Sequence, residues 1–348
     1  MAAVKVSRKL MFSAAFLAVA FYSHLLFLWG REPQKLYLEE VLSIGSLDDD
    51  TLFQWVGVIA DSNGYTYVTD TMDYSLKKFD ARGNLLKKTG QKGQGPGEFM
   101  APRYLGISER FLYVTDQFRP EIQVFDKDLN YIRSILILMP VSDLKVLSDN
   151  EIAVATVSLT KSGRIFIFNA KGTIKRELLY SDKKLPLMMD LVSFDFDSQG
   201  NLYIAYSYQD KIEKFNPEGE KIWSKKLLKI KRIKKEKIAS FEVPTRLVYK
   251  DIVLDSSGNL FILGGSFSKN PSRDVYVLSP EGKLLTTLTL PDASHCIYID
   301  IQNFLYSRAN EGVTLKKFRM EYIYEKKESH FPNELLIWEK KMSERAMF

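Results

Sequence analysis

Two aspartates stand at equivalent places in the sequence and could present carboxylates to a common ligand. Asp70 ends the phrase Tyr67-Val68-Thr69-Asp70, and Asp116 ends the same phrase in Tyr113-Val114-Thr115-Asp116. A carboxylate at the end of a strand lies where loops carry function on a rigid scaffold. We therefore take Asp70 and Asp116 as candidate contacts at one face of the molecule.

A dense basic run is the second feature with chemical potential. Residues 225–237 contain only one acidic side chain, Glu236. Such a run attracts anionic surfaces, and a lysine or arginine near an anionic membrane contributes about 1 kcal/mol. The candidate patch for lipid headgroups consists of Lys229, Lys231, Arg232, Lys234, Lys235 and Lys237. The alternative is a solvated strand and loop whose apolar side chains face inward, namely Leu227, Leu228, Ile230, Ile233 and Ile238.

The sequence has few residues of the kinds that bind metal ions or act as catalytic nucleophiles. The chain has three histidines, His24, His295 and His330, and one cysteine, Cys296, which cannot form an internal disulfide. Gly-x-Ser-x-Gly, phosphate-loop, His-Glu-x-x-His and clustered-cysteine motifs do not occur in the sequence. The sequence therefore predicts no catalytic residue, no metal site and no cofactor, and it favours a role other than that of an enzyme.

The candidate aspartates belong to a sequence motif that recurs six times between Gly57 and Lys327. Each copy has an alternating apolar strand, a turn, a strand rich in Tyr, Ile and Val, and then Phe-Asp-x-x-Gly or a relic of it. The interval between copies is about 40 to 50 residues, except that the basic run lengthens the interval between the fourth and fifth. Several short strands per unit at that period predict an all-β fold, a six-bladed β-propeller with four-stranded antiparallel blades. The anchors of the second turn are Phe79, Phe125, Phe168, Phe215, Leu278 and Phe318.

The first turn of the phrase has a local explanation. In Asp-x-x-Gly the aspartate side chain caps the backbone and glycine accepts positive φ, so two strands reverse within a few residues. Asp61, Asp197 and Asp255 occupy this turn position and are expected to be structural. A content of 45% hydrophobic and 13% aromatic residues excludes a disordered chain.

The repeats resemble the six-bladed propellers built from NHL repeats. The most specific match is the run of residues 90–102, Gly-Gln-Lys-Gly-Gln-Gly-Pro-Gly-Glu-Phe-Met-Ala-Pro, which is similar to the connector between blades in bacterial members. The resemblance covers roughly residues 36 to 327. The connector is either an irregular crossover or a binding loop, and its candidate contacts are Gly95, Pro96, Gly97, Glu98 and Phe99.

The resemblance also bears on the aspartates. It implies that Asp70 and Asp116 end the second strand and tie down the following loop, which is the alternative to a ligand role. Related calcium-dependent lactonase propellers place acidic and amide residues around the axis. By that resemblance the candidate ligands are Asp61, Asp70, Asp116, Asp197, Asp210 and Asp255, whereas a zinc site would need several histidines from different blades.

The two ends of the propeller are predicted to meet in one blade. Residues 35–45 read as a strand that ends in glycine and complete the sixth sheet, so the propeller spans residues 35–328. Residues 329–348 form a tail with a possible short helix, for which Asn333 is the N-terminal cap.

The first thirty residues differ physically from the repeats. Residues 1–9 carry Lys5, Arg8 and Lys9, residues 10–29 have no formal charge, and residues 30–34 form a linker. Twenty apolar residues are long enough to span a bilayer. The preceding cations predict an N-terminal transmembrane helix, or signal anchor, with its N-terminus in the cytoplasm. The alternative is a signal peptide cleaved after Ala18-Val19-Ala20.

These features predict a bacterial inner-membrane protein with a single pass and a periplasmic or extracellular propeller. Two functions follow from the sequence. The first is a non-catalytic binding or scaffold module for a protein, peptide or glycan of the cell envelope; anionic lipid headgroups are a possible further partner, and nucleic acid is not expected. The second is a metal-dependent propeller hydrolase or lyase with its site in the axial funnel.

Overall fold

The computed structural model describes residues 35–156, 164–179, 189, 191–230, 233–238 and 241–323. The predicted anchor at residues 10–29, the linker at 30–34 and the tail at 329–348 lie outside these residues. Within the described ranges, no helix has the length and apolar character needed to cross a membrane. The following description therefore concerns the repeats.

The repeats fold into six four-stranded sheets, as predicted. The first blade is formed by β2 (Trp55–Ala60), β3 (Thr66–Asp70), β4 (Ser75–Phe79) and β5 (Leu85–Thr89). The second is formed by β6 (Pro102–Ile107), β7 (Phe111–Asp116), β8 (Glu121–Asp126) and β9 (Tyr131–Leu136). The third is formed by β10 (Val141–Ser148), β11 (Glu151–Thr156), β12 (Arg164–Asn169) and β13 (Ile174–Leu179).

The remaining blades follow the same order with one insertion. The fourth consists of β14 (Val192–Phe196), β15 (Leu202–Tyr206), β16 (Ile212–Phe215) and β17 (Lys221–Lys225). A separate two-stranded sheet follows, made of β18 (Lys235–Ile238) and β19 (Phe241–Pro244). The fifth blade consists of β20 (Tyr249–Leu254), β21 (Leu260–Gly264), β22 (Asp274–Leu278) and β23 (Leu284–Thr289). The inserted hairpin accounts for the long interval between the fourth and fifth repeats.

The sixth blade joins the two ends of the propeller. It contains β24 (Ile297–Ile299), β25 (Phe304–Ala309), β26 (Thr314–Ile323) and, as its outer strand, β1 (Lys35–Ile44). A short 3₁₀ segment at Asn310–Gly312 connects β25 to β26. Because β1 comes from the start of the repeats, the ring is closed by hydrogen bonds between distant parts of the chain.

The core lies between neighbouring blades. The six predicted anchors are all buried, which explains why the sequence repeats a large apolar side chain in each third strand. In three blades a tyrosine of the second strand donates its hydroxyl proton to the aspartate of the first turn, as Tyr203 does to Asp197 at 3.0 Å. Tyr67 and Tyr306 make the same contact with Asp61 and Asp300.

The strand order gives the ring two different faces. First strands begin, second strands end, third strands begin and fourth strands end at one face, which we call the connector face. The tight Asp-x-x-Gly turns lie at the other face, which we call the hairpin face. Asp197 shows the predicted turn chemistry, since its Oδ1 accepts the backbone N–H groups of Gln199 and Asn201 while Gly200 adopts φ +82°.

Candidate functional site

Asp70 is a fully buried carboxylate at the connector face of the first blade. Its oxygens accept the backbone N–H groups of Phe53 at 2.8 Å and Gln54 at 2.9 Å, and the Lys77 ammonium at 2.9 Å. Lys77 is itself buried and also pairs with Asp73 at 2.8 Å. Asp70 therefore joins the end of β3 to the segment that enters β2.

Asp116 does the same in the second blade. Its Oδ2 accepts the N–H groups of Met100 at 2.6 Å and Ala101 at 3.0 Å, and its Oδ1 accepts that of Phe118 at 2.9 Å. Both carboxylates thus bind the backbone that enters the first strand of their blade. The resemblance implied that each would hold the loop after its own strand, and Asp116 does so through Phe118. Direct contact of Asp70 or Asp116 with a ligand stays a prediction.

The glycine-rich connector is built around Phe99. This ring is fully buried between the first two blades, with its centroid 5.9 Å from that of Phe125. Glu98 accepts the N–H of Gly95 at 2.7 Å, and the Gly97 N–H donates to Gln123 Oε1 at 2.7 Å. Arg119 donates to the carbonyl oxygens of Gln94, Gly95 and Glu98. Glu98 and Phe99 therefore stabilise the crossover, and Pro96 is exposed at its tip.

The basic run divides into an apolar side and a charged side. Leu227, Leu228, Ile230 and Ile233 pack against the core between the fourth and fifth blades. Asp210 fixes this segment by accepting the N–H groups of Leu227, Leu228 and Ile230. Lys229, Lys234 and Lys237 are exposed, and Lys235 lies 3.9 Å from Glu242. Lys231, Arg232 and the side chain of Ile238 lie outside what the structure describes, and the lipid role stays a prediction.

The first strand of each blade is its inner strand, and the six inner strands carry a polar cluster that was not predicted from the sequence. The strand register aligns Gly57, Asp143, Ser193 and Asp251 as a first tier. Tyr104 and Cys296 hold the same place, two positions before aligned residues of their own blades. The register aligns six residues of a second tier, two positions further along each strand, Ile59, Gly106, Lys145, Asp195, Val253 and Tyr298. A signal was available, since acidic residues interrupt apolar inner strands such as β14 and β20.

The first tier links four consecutive blades, the third to the sixth. Asp143 Oδ2 accepts the Phe194 N–H at 3.0 Å, and Asp251 Oδ2 accepts the Ile297 N–H at 2.9 Å. Ser193 Oγ lies 3.0 Å from Asp143 Oδ2 and 2.8 Å from Asp251 Oδ1. A hydroxyl has one proton to donate, so both contacts are hydrogen bonds only if one carboxyl is protonated. The first tier therefore joins the blades in an arrangement that favours a proton on one of these two carboxyl groups.

The second tier supplies the compensating charge. Burial disfavours a charged Lys145, but the carboxylates of Asp195, Asp143 and Asp251 outweigh it and raise the pKa of this lysine. Burial raises the pKa of Asp251 to about 6, with a further contribution from Asp143 and an opposing one from Lys145. Asp195 Oδ2 accepts the Leu254 N–H at 3.0 Å, and the Tyr298 hydroxyl donates to the Ala60 carbonyl at 3.2 Å. Each of these contacts joins neighbouring blades.

The axial carboxylates do not fit a metal site. Oxygens of Asp143, Asp195 and Asp251 already accept backbone N–H groups of the next blade. Among the residues in the described ranges, no group of three or more His, Cys, Asp or Glu side chains is arranged to hold a metal ion. What the axial cluster offers chemically is the carboxyl of Asp251, whose pKa of about 6 lets it exchange a proton in mildly acidic solution.

The connector face also presents apolar side chains to solvent. Phe53 is 44% exposed and Phe118 is 68% exposed, and the backbone N–H of each is bonded to Asp70 or Asp116 respectively. Met72 and Leu138, in the loops after β3 and β9, are also exposed. The two repeated aspartates thus hold two exposed aromatic rings on fixed backbone.

Solved structures with this architecture include enzymes. The chain is similar to a virginiamycin B lyase from Staphylococcus aureus (13% identity, TM-score 0.52, 83% of this chain and 89% of that chain). It is also similar to a streptogramin B lyase (12%, 0.53, 84% and 100%) and to a protein provisionally described as a gluconolactonase (12%, 0.54, 83% and 99%). At these identities the likeness concerns the fold alone. No curated protein matches the sequence.

A family model described as 6-bladed beta-propeller matches residues 46–262. The match extends from the segment before the first blade to the second strand of the fifth, which is more than half of the chain. It confirms the six-bladed propeller, whereas the finer resemblance to NHL repeats is not confirmed. The chain belongs to the 6-bladed beta-propeller family DUF5128.

Proposed function

We propose that this protein is a membrane-anchored, extracytoplasmic binding module whose connector face holds a protein, peptide or glycan of the cell envelope. The observation that carries the proposal is the paired arrangement of Phe53 and Phe118. In both repeats a buried aspartate fixes the backbone of an exposed phenylalanine. Aromatic side chains on fixed backbone lose little conformational freedom when a partner binds, and such residues dominate binding energy in interfaces.

The carboxylates of the ring support the same conclusion. Asp70 and Asp116 bind connector backbone, while Asp143, Asp195 and Asp251 bind the backbone of neighbouring blades. These groups make the ring rigid and so pre-organise the loops of the connector face. The predicted anchor at residues 10–29 would keep the propeller in the cell envelope, together with such partners.

The test compares matched variants in the native host. Phe53→Ser and Phe118→Ser together remove the two rings, and Leu85→Ser with Leu86→Ser removes two exposed side chains of the outer strand β5 as a control. The detergent-extracted proteins are compared by size-exclusion chromatography with mass spectrometry of co-eluting molecules. We expect a partner that co-elutes with the wild type and the control and is lost from the phenylalanine variant. Elution of the wild type alone, at the mass of one chain, would contradict the proposal.

Acid–base catalysis in the axial channel is the second candidate. It is favoured by Asp251, whose pKa of about 6 would let it donate or accept a proton near neutral pH. The structural likeness to a lyase and to a protein described as a gluconolactonase is compatible with this function. The test is turnover of a lactone panel by the wild type and by Asp251→Asn across pH 5 to 8. Activity that is absent from the wild type, or unchanged in the variant, would remove this candidate.

A further inference from the structure

Three basic residues, Lys250, His295 and Arg308, belong to one hydrogen-bonded group at the connector face between the fifth and sixth blades. Lys250 Nζ donates to the Ser294 carbonyl oxygen at 3.0 Å and lies 3.1 Å from His295 Nδ1. Both of these neighbouring atoms are uncharged when the imidazole is neutral. The third side chain is Arg308, whose backbone N–H donates to Ser294 Oγ at 2.9 Å. Ser294 therefore connects the lysine to the arginine.

Arg308 is unusual for its burial and for its hydrogen bonds. It is only 6% exposed, and its Nη2 donates to the Glu311 carbonyl oxygen. Its Nε is buried and has no hydrogen-bond partner among the residues that the structure describes. Buried polar atoms are nearly always paired, so a guanidinium donor without a partner is open to an acceptor.

The backbone beside Arg308 is shaped to accommodate it. Asn310, Glu311 and Gly312 all have positive φ, at +48°, +54° and +103°. A Cβ at Gly312 would clash with the guanidinium of Arg308 where it lies, so the glycine leaves room for this position of the side chain. Positive φ at consecutive residues that include two non-glycines is a form of strain that often accompanies function.

Comparison among the blades shows that this arginine is a departure from the repeat. By register, Arg308 corresponds to Thr69, Thr115, Ala155, Ala205 and Leu263 of the other second strands. None of these residues is charged, and a propeller blade therefore folds without a cation at this point. The arginine in the sixth blade needs another explanation than blade packing.

The charges of the cluster also indicate a role other than blade packing. Burial is the main cause that lowers the pKa of Lys250 to about 8; Cys296 opposes this change and the charge of Arg308 adds to it. Burial also lowers the pKa of Arg308, against opposing contributions from Cys296, Asp70 and Glu311. Burial raises the pKa of the Cys296 thiol to about 12, so the thiol is neutral near pH 7. Asp70 is already paired with Lys77 at 2.9 Å. Positive charges thus oppose one another here.

We propose that Lys250, His295 and Arg308 form a binding site for an oxyanion, either a free one or the carboxylate or phosphate group of a larger ligand. An oxyanion accepts hydrogen bonds from a guanidinium in a planar, paired geometry and from an ammonium as a point charge. It would supply the acceptor that Arg308 Nε lacks and neutralise the charges that oppose one another. The site is distinct from Phe53 and Phe118 and does not depend on the proposed function.

The experiment uses the full chain in detergent, with inorganic phosphate and acetate as probes at constant ionic strength. Isothermal titration calorimetry measures affinity, and nuclear magnetic resonance of ¹³C-dimethylated lysines follows the titration of Lys250. We expect saturable binding of at least one probe. The bound anion should raise the titration midpoint of Lys250 by about one pH unit, which is a tenfold change in its proton affinity. Chloride at the same concentration should leave the midpoint unchanged.

Variants separate the site from general surface charge. Lys250→Met and Arg308→Lys should each weaken binding at least tenfold, and the second retains the charge while it removes the planar donor pair. Lys316→Met is the control, because Lys316 is a half-buried cation paired with Asp292 and Glu40. Should Arg308→Lys fail to fold, the titration of Lys250 in the wild type still decides the matter. A midpoint that neither probe moves, or Lys250→Met binding as tightly as wild type, overturns the proposal.

Binding by phosphate alone would indicate a phosphate ligand, and binding by both probes a carboxylate or a general oxyanion site; each supports the assignment. Failure of this experiment would leave the connector-face function intact, since that function is read from partner loss in the Phe53 and Phe118 variant. Conversely, a monomeric wild type without a partner would not affect saturable oxyanion binding at Lys250. The two proposals can therefore fail separately.

Discussion

Replacement of Asp116 tests whether the repeated aspartates hold the connector face in place. The Asp116 carboxylate accepts three backbone N–H groups, from Met100, Ala101 and Phe118. In Asp116→Ala these donors lose their acceptor, and a buried unpaired donor costs about 1–3 kcal/mol. Water can reach some of them after the side chain is truncated, so we expect a loss of roughly 3–5 kcal/mol rather than the full sum.

The amide variant gives an intermediate case. In Asp116→Asn one oxygen can still accept two of the N–H groups, but the side-chain NH₂ then faces the third donor. The expected loss is about 2–3 kcal/mol, because one hydrogen bond is removed and one donor is left unpaired. The control is Asp128→Asn, which removes an exposed pair with Lys78 and should cost at most about 1 kcal/mol.

Chemical denaturation followed by circular dichroism measures these losses, and the thermal midpoint should fall by roughly 2 °C per kcal/mol in a domain of this size. The expected order of stability is wild type, Asp128→Asn, Asp116→Asn and then Asp116→Ala. The reasoning is refuted if Asp116→Ala unfolds at the same denaturant concentration as Asp128→Asn. In that case the carboxylate does not hold the connector, and a direct ligand role for Asp116 becomes the better explanation.

Four further predictions follow from other parts of the chain. Phe99→Ala should destabilise the ring by about 3–5 kcal/mol in chemical denaturation, because it empties a fully buried site between two blades. The pKa of Asp251 is about 6 in the folded protein and lower in the unfolded chain, so the free energy of unfolding should fall as pH rises from about 4 to 6. In Asp251→Asn this pH dependence should be absent from denaturation curves recorded at several pH values. Deletion of residues 1–29 should release the protein from the membrane fraction, whereas a cleaved signal would already leave the wild type in the soluble fraction. Replacement of the exposed lysines Lys229, Lys234 and Lys237 of the basic run by glutamine should weaken binding to anionic vesicles, measured by sedimentation, by about 1 kcal/mol each. The same replacement at Lys87 and Lys88 of β5 should have little effect.

Local chemistry explains why the propeller could be predicted from sequence. Turn residues such as Asp197 and Gly200 act within four positions of themselves, and the buried anchors recur once per blade. Because each blade repeats the same short-range signals, their number and order appear directly in the chain. The basic run was also visible in the sequence, and its apolar side chains pack against the core between the fourth and fifth blades.

The candidate sites depended on contacts between distant residues. Asp70 reaches back to the N–H groups of Phe53 and Gln54, and Asp143 reaches across to Phe194 in the next blade. Which atoms meet at such distances is set by the curvature of the ring and by bulges in the inner strands, as between Val141 and Asp143. A carboxylate in the sequence therefore did not reveal whether it would face solvent, a ligand or a backbone amide.

The sequence by itself determined the number of blades, the residues that turn the chain and the side chains that fill the core, because all of these act locally and repeat. Only the tertiary structure decided that the repeated aspartates hold connector backbone, that Ser193 bridges two carboxyl groups at the axis, and that Ser294 links Lys250 to Arg308. The physical reason is that closing the ring brings together residues of different blades, and their charges and hydrogen bonds then act on one another.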